Sequence, residues 1–429
     1  MGQVPNYHHI GGLRKVDPYY FTFKTHVKSR WLGRNIVDVF TTEFGQTASI
    51  VRGEIFSDLI YVITDYKRAN CSTIKGNKLL DWSLKGSDLI CNSRHMHETP
   101  VHIGESAGQN ENCPNQHKTD IGLIYENEDL VVINKPAGIP AHPKGNFRYN
   151  TVTEILKHDL QLENVWPCHR LDKMTSGIMI LGKNKETGAK LLRILEHEKD
   201  CVKKVYLARV KGKFIEGKVD YQCPVFRINS SGGYIMPTNA SSMSSYSCTS
   251  FELLEYNEEL DQSIILCTPL TGRMHQIRIH LRNLGHPIAN DYLYNPEAST
   301  SLKRHINEMR NQLEKDLYNS LFQKMPMFKM PNAKTDLLNA NLINLHELTC
   351  FGHHSFQQKI KGMIDLRNSW LSEAKGNHNQ QCPECGRQMF DIIIESAEMQ
   401  IWLHALSYTY SNGTKSFEYK TPLPSWCHI

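Results

Sequence analysis

The stretch His169-Arg170-Leu171-Asp172-Lys173-Met174-Thr175-Ser176-Gly177 decides the fold of this 429-residue chain. It places an arginine and an aspartate two residues apart on a polar turn that leads into the apolar run at residues 178–181. A short apolar run bounded by a turn is typical of a buried strand. An aspartate at the edge of a strand beside an arginine is a candidate nucleophile or general base, although such a pair alone is more often a structural ion pair.

A second block, Lys204-Val205-Tyr206-Leu207-Ala208-Arg209-Val210-Lys211-Gly212, is typical of a strand. Tyr206 shares one face of that strand with Ala208 and Val210, because side chains alternate between the two faces. Two interpretations follow. Tyr206 is either a core residue whose hydroxyl is hydrogen-bonded, or an aromatic group at an active site.

A third block, Leu270-Thr271-Gly272-Arg273-Met274-His275-Gln276-Ile277-Arg278-Ile279-His280-Leu281, continues to Asp291 and Tyr294. Arg278 and His280 share a face if the block is a strand, whereas Arg273, Gln276 and His280 share one if it is a helix. In either case, cationic side chains at this density are costly to bury without partners. They must face phosphate, a carboxylate or water, and Asp172 is the natural carboxylate partner.

Together, the three blocks resemble in order and spacing the motifs of the RluA-type pseudouridine synthases, whose signature is HRLDxxTSG. Residues 132–138 resemble the family's opening catalytic strand, and residues 403–405 with 421–424 resemble its closing segment. The resemblance covers residues 120–294 and 399–426. It implies an α+β fold with a central mixed, mainly antiparallel sheet, and an enzyme that isomerises uridine in RNA.

The resemblance also implies a role for each residue. Asp172 matches the catalytic aspartate, and Tyr206 matches the tyrosine that stacks on the base and is a candidate base for the C5 proton. Arg273 matches the arginine that pairs with the catalytic carboxylate, and Arg170 matches the arginine that fills the space left by the flipped uridine. The other residues expected to contact RNA or assist base flipping are His169, Thr175, His275, Gln276 and Arg278.

The implied reaction breaks the N1–C1′ bond of uridine, rotates the freed uracil and joins C5 to C1′. No electrons are lost and no phosphate leaves, so we expect no cofactor and no metal. One ionised carboxylate attacks the sugar or takes a 2′ proton, and the sequence leaves both open. A cationic neighbour keeps that carboxylate charged, and an inserted side chain holds the place of the extruded base.

The chain divides into six predicted segments, and the N-terminal ones resemble the eukaryotic branch of the family that modifies uridine 32 of the tRNA anticodon loop. A helix is predicted to start at residues 36–40, a short strand at 88–91 and a long amphipathic helix at 302–322. The segments are a basic aromatic extension (1–32), an S4-like RNA-binding domain (33–104), a polar linker (105–119), the first part of the catalytic domain (120–296), an insertion (297–396) and the final catalytic segment (397–429).

The charge distribution fits an RNA partner, which the resemblance implies is tRNA, and we expect the chain to be a monomer. The net charge is +5, and basic residues concentrate at 14–34, interleaved with aromatics, and at 203–213. Such patches suit a phosphate backbone and unstacked bases, or equally a solvated protein face.

No run of eighteen apolar residues predicts a membrane span, and the first residues lack the apolar core of a signal peptide. Twelve cysteines without framework spacing indicate reduced thiols in an intracellular compartment, the cytoplasm first, with nucleus and mitochondrion open.

Cys382-Pro383-Glu384-Cys385 has the spacing of half a zinc site, but one such pair is more often an ordinary loop. The ligands considered to complete it are Cys350, His353, His354, His378 and Cys427. Besides an rRNA or mRNA substrate, the sequence leaves two rival functions. One is a non-catalytic RNA-binding protein on the same fold. The other is a nucleobase deaminase, which needs a His-x-Glu that this chain lacks.

Overall fold

The computed structural model describes residues 5–102, 113, 115–224, 246–298, 308, 362, 382–386 and 399–429. The predicted helix at 302–322 and nearly all of the predicted insertion lie outside these residues, as does most of the predicted linker. Two compact units are present. The first includes Val16–Glu98 and Pro383–Cys385, and the second includes His9–Lys15 and the described parts of the chain from Thr99 onward apart from those three residues.

The described strands are, in chain order, β1 (Tyr7–Ile10), β2 (Leu13–Val16), β3 (Tyr19–His26), β4 (Ile60–Thr64), β5 (Ser72–Ile74), β6 (Leu89–Met96), β7 (Val101–His102), β8 (Gly122–Glu126), β9 (Leu130–Lys135), β10 (Trp166–Pro167), β11 (Ser176–Gly182), β12 (Val202–Lys211), β13 (Lys218–Pro224), β14 (Tyr246–Asn257), β15 (Gln262–Pro269), β16 (Leu403–Ser411) and β17 (Ser416–Lys420). The helices are α1 (Ile36–Phe44), α2 (Ala48–Phe56), α3 (Asn77–Leu80), α4 (Val152–Asp159), α5 (Lys185–His197) and α6 (Gln276–Asn283). None of the helices that the structure describes is long and apolar enough to cross a bilayer.

The first unit is an antiparallel sheet of order β3-β6-β4-β5, packed with α1, α2 and α3. Helix α1 begins where the sequence predicts, because the Asn35 side chain accepts a hydrogen bond from the backbone N–H of Val37. It ends at Gly45, which adopts the left-handed conformation. The strand predicted at 88–91 is confirmed as the start of β6. Strand β3 pairs with β6 along its whole length, so this sheet begins before the boundary expected at residue 33.

The second unit is built on a ten-stranded mixed sheet with few helices among its described residues. Its main path runs β13-β14-β15-β12-β16-β11-β9-β8, with β10 paired to β11 and β17 paired to β16. The β11–β16 pair is parallel and the other pairs are antiparallel, as the sequence predicts for a mixed, mainly antiparallel sheet. Strand β16 comes late in the sequence but lies between β11 and β12. Strand β11 begins at the end of the first sequence block, and β12 carries the second.

Gly177 is the residue on which the parallel contact depends. It pairs with Ala405 of β16 and has φ of +111°. A Cβ at this position would lie 2.3 Å from the Ala405 carbonyl oxygen and 2.5 Å from its amide nitrogen. Both the backbone conformation and the close approach of β16 require glycine. The last residue of the signature stretch thus serves the sheet rather than the chemistry.

Gly177→Ala is expected to lower the free energy of unfolding of the second unit by about 3 kcal/mol or more, because strain in φ adds to backbone overlap with β16. Urea unfolding followed by tryptophan fluorescence measures this change. Gly272→Ala is the matched control, since a Cβ there meets nothing within 4 Å and should leave the unfolding midpoint nearly unchanged. Equal midpoints for the two variants would contradict this account of Gly177.

Candidate active site

The turn that carries Asp172 joins β10 to β11 and is fixed by the end of β9. The Thr175 N–H donates to the Asp172 carbonyl at 3.1 Å, which closes the turn. The Gly138 N–H donates to the Lys173 carbonyl at 2.8 Å, and the Lys135 ammonium reaches the same carbonyl at 3.2 Å. The backbone at Asp172 and at Lys173 is therefore anchored before any substrate arrives.

Lys135 is fully buried and donates two further hydrogen bonds, to the carbonyls of Pro136 at 2.7 Å and Ile139 at 2.9 Å. Burial lowers the pKa of its ammonium to about 7, although the nearby Asp172 charge acts in the opposite direction. From the sequence alone, Lys135 is only the first residue of the turn at 135–138. Its place at the centre of three carbonyl groups was not foreseen, because the pattern Lys-Pro-Ala-Gly indicates a turn without showing which way the lysine points.

The Asp172 carboxylate is one-fifth exposed and lies beside an arginine on α6 and a histidine at the start of that helix. Its Oδ2 lies 3.8 Å from Nη1 of Arg278 and 3.7 Å from Nε2 of His275. Arg278 is itself held by Asp291, through Nε–Oδ2 at 2.6 Å and Nη2–Oδ1 at 2.9 Å. Burial disfavours the charged form of both residues. Asp291 nevertheless raises the pKa of Arg278, and Arg278 lowers the pKa of Asp291. Asp291 therefore occupies Nε and Nη2 of Arg278 and leaves Nη1 directed at Asp172.

The ion pair expected for Arg273 is made instead by Arg278. Residues 276–283 form a helix, which selects the helical interpretation of the third block. Arg273 precedes this helix and is exposed, and its backbone N–H donates to Gln276 Oε1 at 3.0 Å. Among the residues that the structure describes, the Arg273 guanidinium forms no ion pair. Arg278 lies within the helix and is buried, so its guanidinium is directed at the carboxylates.

A hydrogen-bonded chain of three side chains supports Tyr206. Tyr206 Oη lies 3.0 Å from Tyr408 Oη, and Tyr408 Oη lies 3.4 Å from His169 Nδ1. The His169 and Tyr408 rings stack with centroids 4.6 Å apart. His169 Nε2 accepts a hydrogen bond from the Ile180 N–H at 3.1 Å, so the ring proton is on Nδ1. His169 then donates to the Tyr408 oxygen, and the Tyr408 hydroxyl donates to the Tyr206 oxygen.

Burial determines the protonation of these groups. It lowers the pKa of His169 to about 3, with the Lys204 charge acting in the same direction, so this ring is neutral near pH 7. It raises the pKa of Tyr206 to about 12, although the hydrogen bond from Tyr408 acts the other way. Tyr206 therefore presents a neutral ring whose oxygen already accepts one hydrogen bond.

Tyr408→Phe is expected to lower kcat about 10-fold, because it removes the hydrogen bond that orients the Tyr206 hydroxyl, worth about 1.4 kcal/mol. Turnover is followed by tritium release from C5-tritiated uridine in RNA. Tyr410→Phe is the matched control, because the Tyr410 hydroxyl donates to Glu198 and not to Tyr206. If Tyr408→Phe and Tyr410→Phe have the same kcat, Tyr408 does not position the Tyr206 hydroxyl.

These groups line one cleft of about 820 Å³, within the usual size range of ligand pockets. Among the described residues that line it, Asp172 is the single carboxylate, beside five lysines and arginines. An excess of fixed positive charge around one carboxylate suits a substrate that carries phosphates. The five basic residues are Lys144, Arg170, Lys204, Arg273 and Arg278.

The remaining residues predicted from the sequence fall in different positions. Arg170 is exposed in the cleft, and its Nη2 lies 3.7 Å from the Met274 sulfur. Thr175 lines the cleft but is 2% exposed. Gln276 is also buried, and its amide donates to the Cys248 carbonyl and the Thr249 hydroxyl. Gln276 therefore joins α6 to β14 and has little surface left for RNA.

Three residues of the site were not among those predicted from the sequence. They are Lys135, Tyr408 and Asp291. Asp291 and Tyr408 are separated from their partners by 13 and 202 positions. The pattern of buried aromatics on β16 signals only a packed strand, so no local signal in the sequence distinguishes Tyr408.

Comparisons with known proteins identify the family. A family model described as RNA pseudouridylate synthase matches residues 129–283. The chain is 33% identical to Pseudouridylate synthase RPUSD2 of Mus musculus, over 98% of this chain and 72% of that protein. It is 30% identical to the tRNA pseudouridine(31) synthase of Saccharomyces cerevisiae, over 97% and 96% respectively. It is 36% identical to the mitochondrial tRNA pseudouridine(32) synthase of the same yeast, over 66% and 55%.

Proposed function

This chain belongs to the RNA pseudouridylate synthase family and isomerises uridine in RNA, and we propose that its target is uridine 32 in the anticodon loop of tRNA. The observation that carries the proposed site is the convergence of Asp172, Tyr206 and Arg278 on one cleft in which Asp172 is the single carboxylate. A yeast relative named for position 32 supports the choice of nucleotide. A second yeast relative is named for position 31, so the position needs its own test.

In the proposed mechanism the target uridine leaves the stack and enters the cleft. Arg170 is exposed at the cleft, so it can occupy the place of the extruded base. Asp172, which lies beside Arg278 and His275, then attacks C1′ or takes the 2′ proton. Both routes break the N1–C1′ bond, and both use the same carboxylate. The choice between them stays open.

Tyr206 has the geometry to hold the freed uracil while it rotates. Its ring lines the cleft wall, and Tyr408 fixes the position of its hydroxyl. Because the pKa of Tyr206 is raised to about 12, the hydroxyl is protonated at the start of the reaction. Its proposed first role is therefore to stack on the base. Proton removal from C5 follows only after C5 has bonded to C1′ and become acidic.

We also propose that the first unit is an S4-like module that binds the tRNA outside the cleft. Strand β3 exposes Tyr20 and Phe23 beside the exposed Lys24. Exposed aromatic rings next to cations suit stacking on unpaired bases with contacts to the backbone. Action as a monomer in the cytoplasm belongs to the same proposal. One relative is named as mitochondrial, so cell fractionation tests the compartment separately.

The proposal is tested with purified protein and unmodified tRNA transcripts that carry uridine at positions 31 and 32, separately and together. Pseudouridines are mapped at single-nucleotide resolution. Product at position 32, absent from reactions with Asp172→Asn protein, is the expected result. Product at position 31 alone would overturn the proposed target position but would leave the proposed reaction standing. Product in rRNA or mRNA but in no tRNA would overturn the substrate class.

A further inference from the structure

Four side chains that bind transition metals converge at a place that the proposed reaction does not use. They are His95, His97, Cys382 and Cys385, and their ligand atoms all lie within 4.8 Å of one another. His97 Nε2 lies 3.2 Å from Cys385 Sγ. None of the four lines the cleft around Asp172. Among the described residues, this is the group of histidines, cysteines and carboxylates with the geometry to hold an ion.

The local backbone accounts for the convergence. His95 lies on β6 and His97 directly follows it, and residues two apart on an extended chain direct their side chains to one face. Pro383–Cys385 belong to the same unit as β6. Cys382 is bonded to Pro383, and the turn is closed by a hydrogen bond from the Gly386 N–H to the Cys382 carbonyl at 2.9 Å. The turn itself therefore brings the two cysteines together.

We propose that His95, His97, Cys382 and Cys385 bind one Zn²⁺ ion in a tetrahedral structural site. Zn–S bonds of about 2.3 Å and Zn–N bonds of about 2.0–2.1 Å place the ligand atoms of one tetrahedral ion about 3.3–3.8 Å apart. The observed separations reach this range with side-chain adjustments of about 1 Å. Thiolate and imidazole ligands select zinc over magnesium or calcium. Four protein ligands leave no open position for a substrate, so the site is structural rather than catalytic.

The sequence pattern alone does not predict this set, because the ligands expected to complete the site all lie close to Cys382 and Cys385 in the sequence. Of those candidates, Cys427 is described and lies in a buried turn, and the others lie outside the described residues. The partners come instead from His95-Met96-His97, about 290 residues upstream. Zinc binding is independent of the proposed target uridine.

The test uses the full chain, purified under reducing conditions and reconstituted with Zn²⁺, with metal content measured by mass spectrometry. About one zinc per chain is expected for the wild type. The variants Cys385→Ser and His97→Ala are expected to hold less than about one tenth of that. Cys71→Ser is the matched control, because Cys71 is exposed and is not part of the group, and it should keep its zinc.

A second measurement on the wild type does not depend on the folding of any variant. Replacement of zinc by Co²⁺ should give the strong visible absorption of a tetrahedral site and a thiolate-to-cobalt charge-transfer band. A weak octahedral spectrum, or a wild-type chain that holds no zinc after reconstitution, would overturn the proposal. So would a Cys382–Cys385 disulfide in the freshly purified protein, or full zinc content in both ligand variants.

Discussion

Asp172→Asn is expected to abolish pseudouridine formation, with a fall in kcat of at least about 10⁴-fold, because the variant keeps the shape of the side chain but loses the charge that both proposed routes need. Tritium release from C5-tritiated tRNA measures turnover over that range. The turn should keep its conformation, since its hydrogen bonds use the backbone of residues 172–175 and the Lys173 carbonyl.

Binding and stability separate a chemical role of Asp172 from a structural one. The Kd for tRNA should change less than about 5-fold, because the phosphate contacts come from the basic side chains of the cleft. Asp220→Asn removes an exposed carboxylate on β13 and is the control for loss of a negative charge. Measurable pseudouridine from Asp172→Asn protein would refute the assigned role. Loss of tRNA binding in that variant would indicate a role in recognition instead.

Arg278→Gln is expected to lower kcat by about 10³-fold, whereas Arg273→Gln should lower it by less than about 10-fold. Arg278 is the guanidinium within ion-pair distance of Asp172, and Arg273 is exposed in the same cleft. The main effect of Arg273→Gln should be a higher KM, since an exposed cation in an RNA-binding cleft contributes to binding. Single-turnover rates at saturating tRNA separate these two effects.

Arg278→Gln also leaves the Asp291 carboxylate buried without its charged partner, which lowers the free energy of unfolding by about 3–5 kcal/mol. A control must therefore separate this loss of stability from the loss of turnover. The double variant Arg278→Gln/Asp291→Asn removes both charges. It should recover most of the free energy of unfolding and little of the turnover. If the double variant recovers activity together with stability, Arg278 acts through folding alone. If Arg273→Gln shows the larger fall in kcat, the assignment from the geometry is wrong.

The sequence predicted those parts of the molecule that depend on local signals. Helix α1 follows from the pattern at residues 36–40, and β11 follows from the apolar run at residues 178–181 after the polar turn. The three blocks do meet at one cleft. Each of these features is decided by residues close together in the chain, or by an arrangement that the resemblance already implied.

The parts that the sequence did not predict depend on long-range packing. Arg273 and Arg278 lie five positions apart in one block, and only the start of α6 decides which of them is buried against Asp291. The pairing of β3 with β6 joins residues about 70 positions apart, so an N-terminal stretch that looks like a basic tail is a strand. Tyr408 meets Tyr206 only because β16 lies beside β12.

The position of β16 has a consequence for how this enzyme is made. The strand occupies the middle of the catalytic sheet, yet it is encoded by residues 403–411, after every other strand of the main path. A growing chain on the ribosome therefore holds two half-sheets and no Tyr408 until translation has passed residue 411. Premature stop codons before that point leave an incomplete sheet with unsatisfied edges, which favours aggregation over residual catalysis.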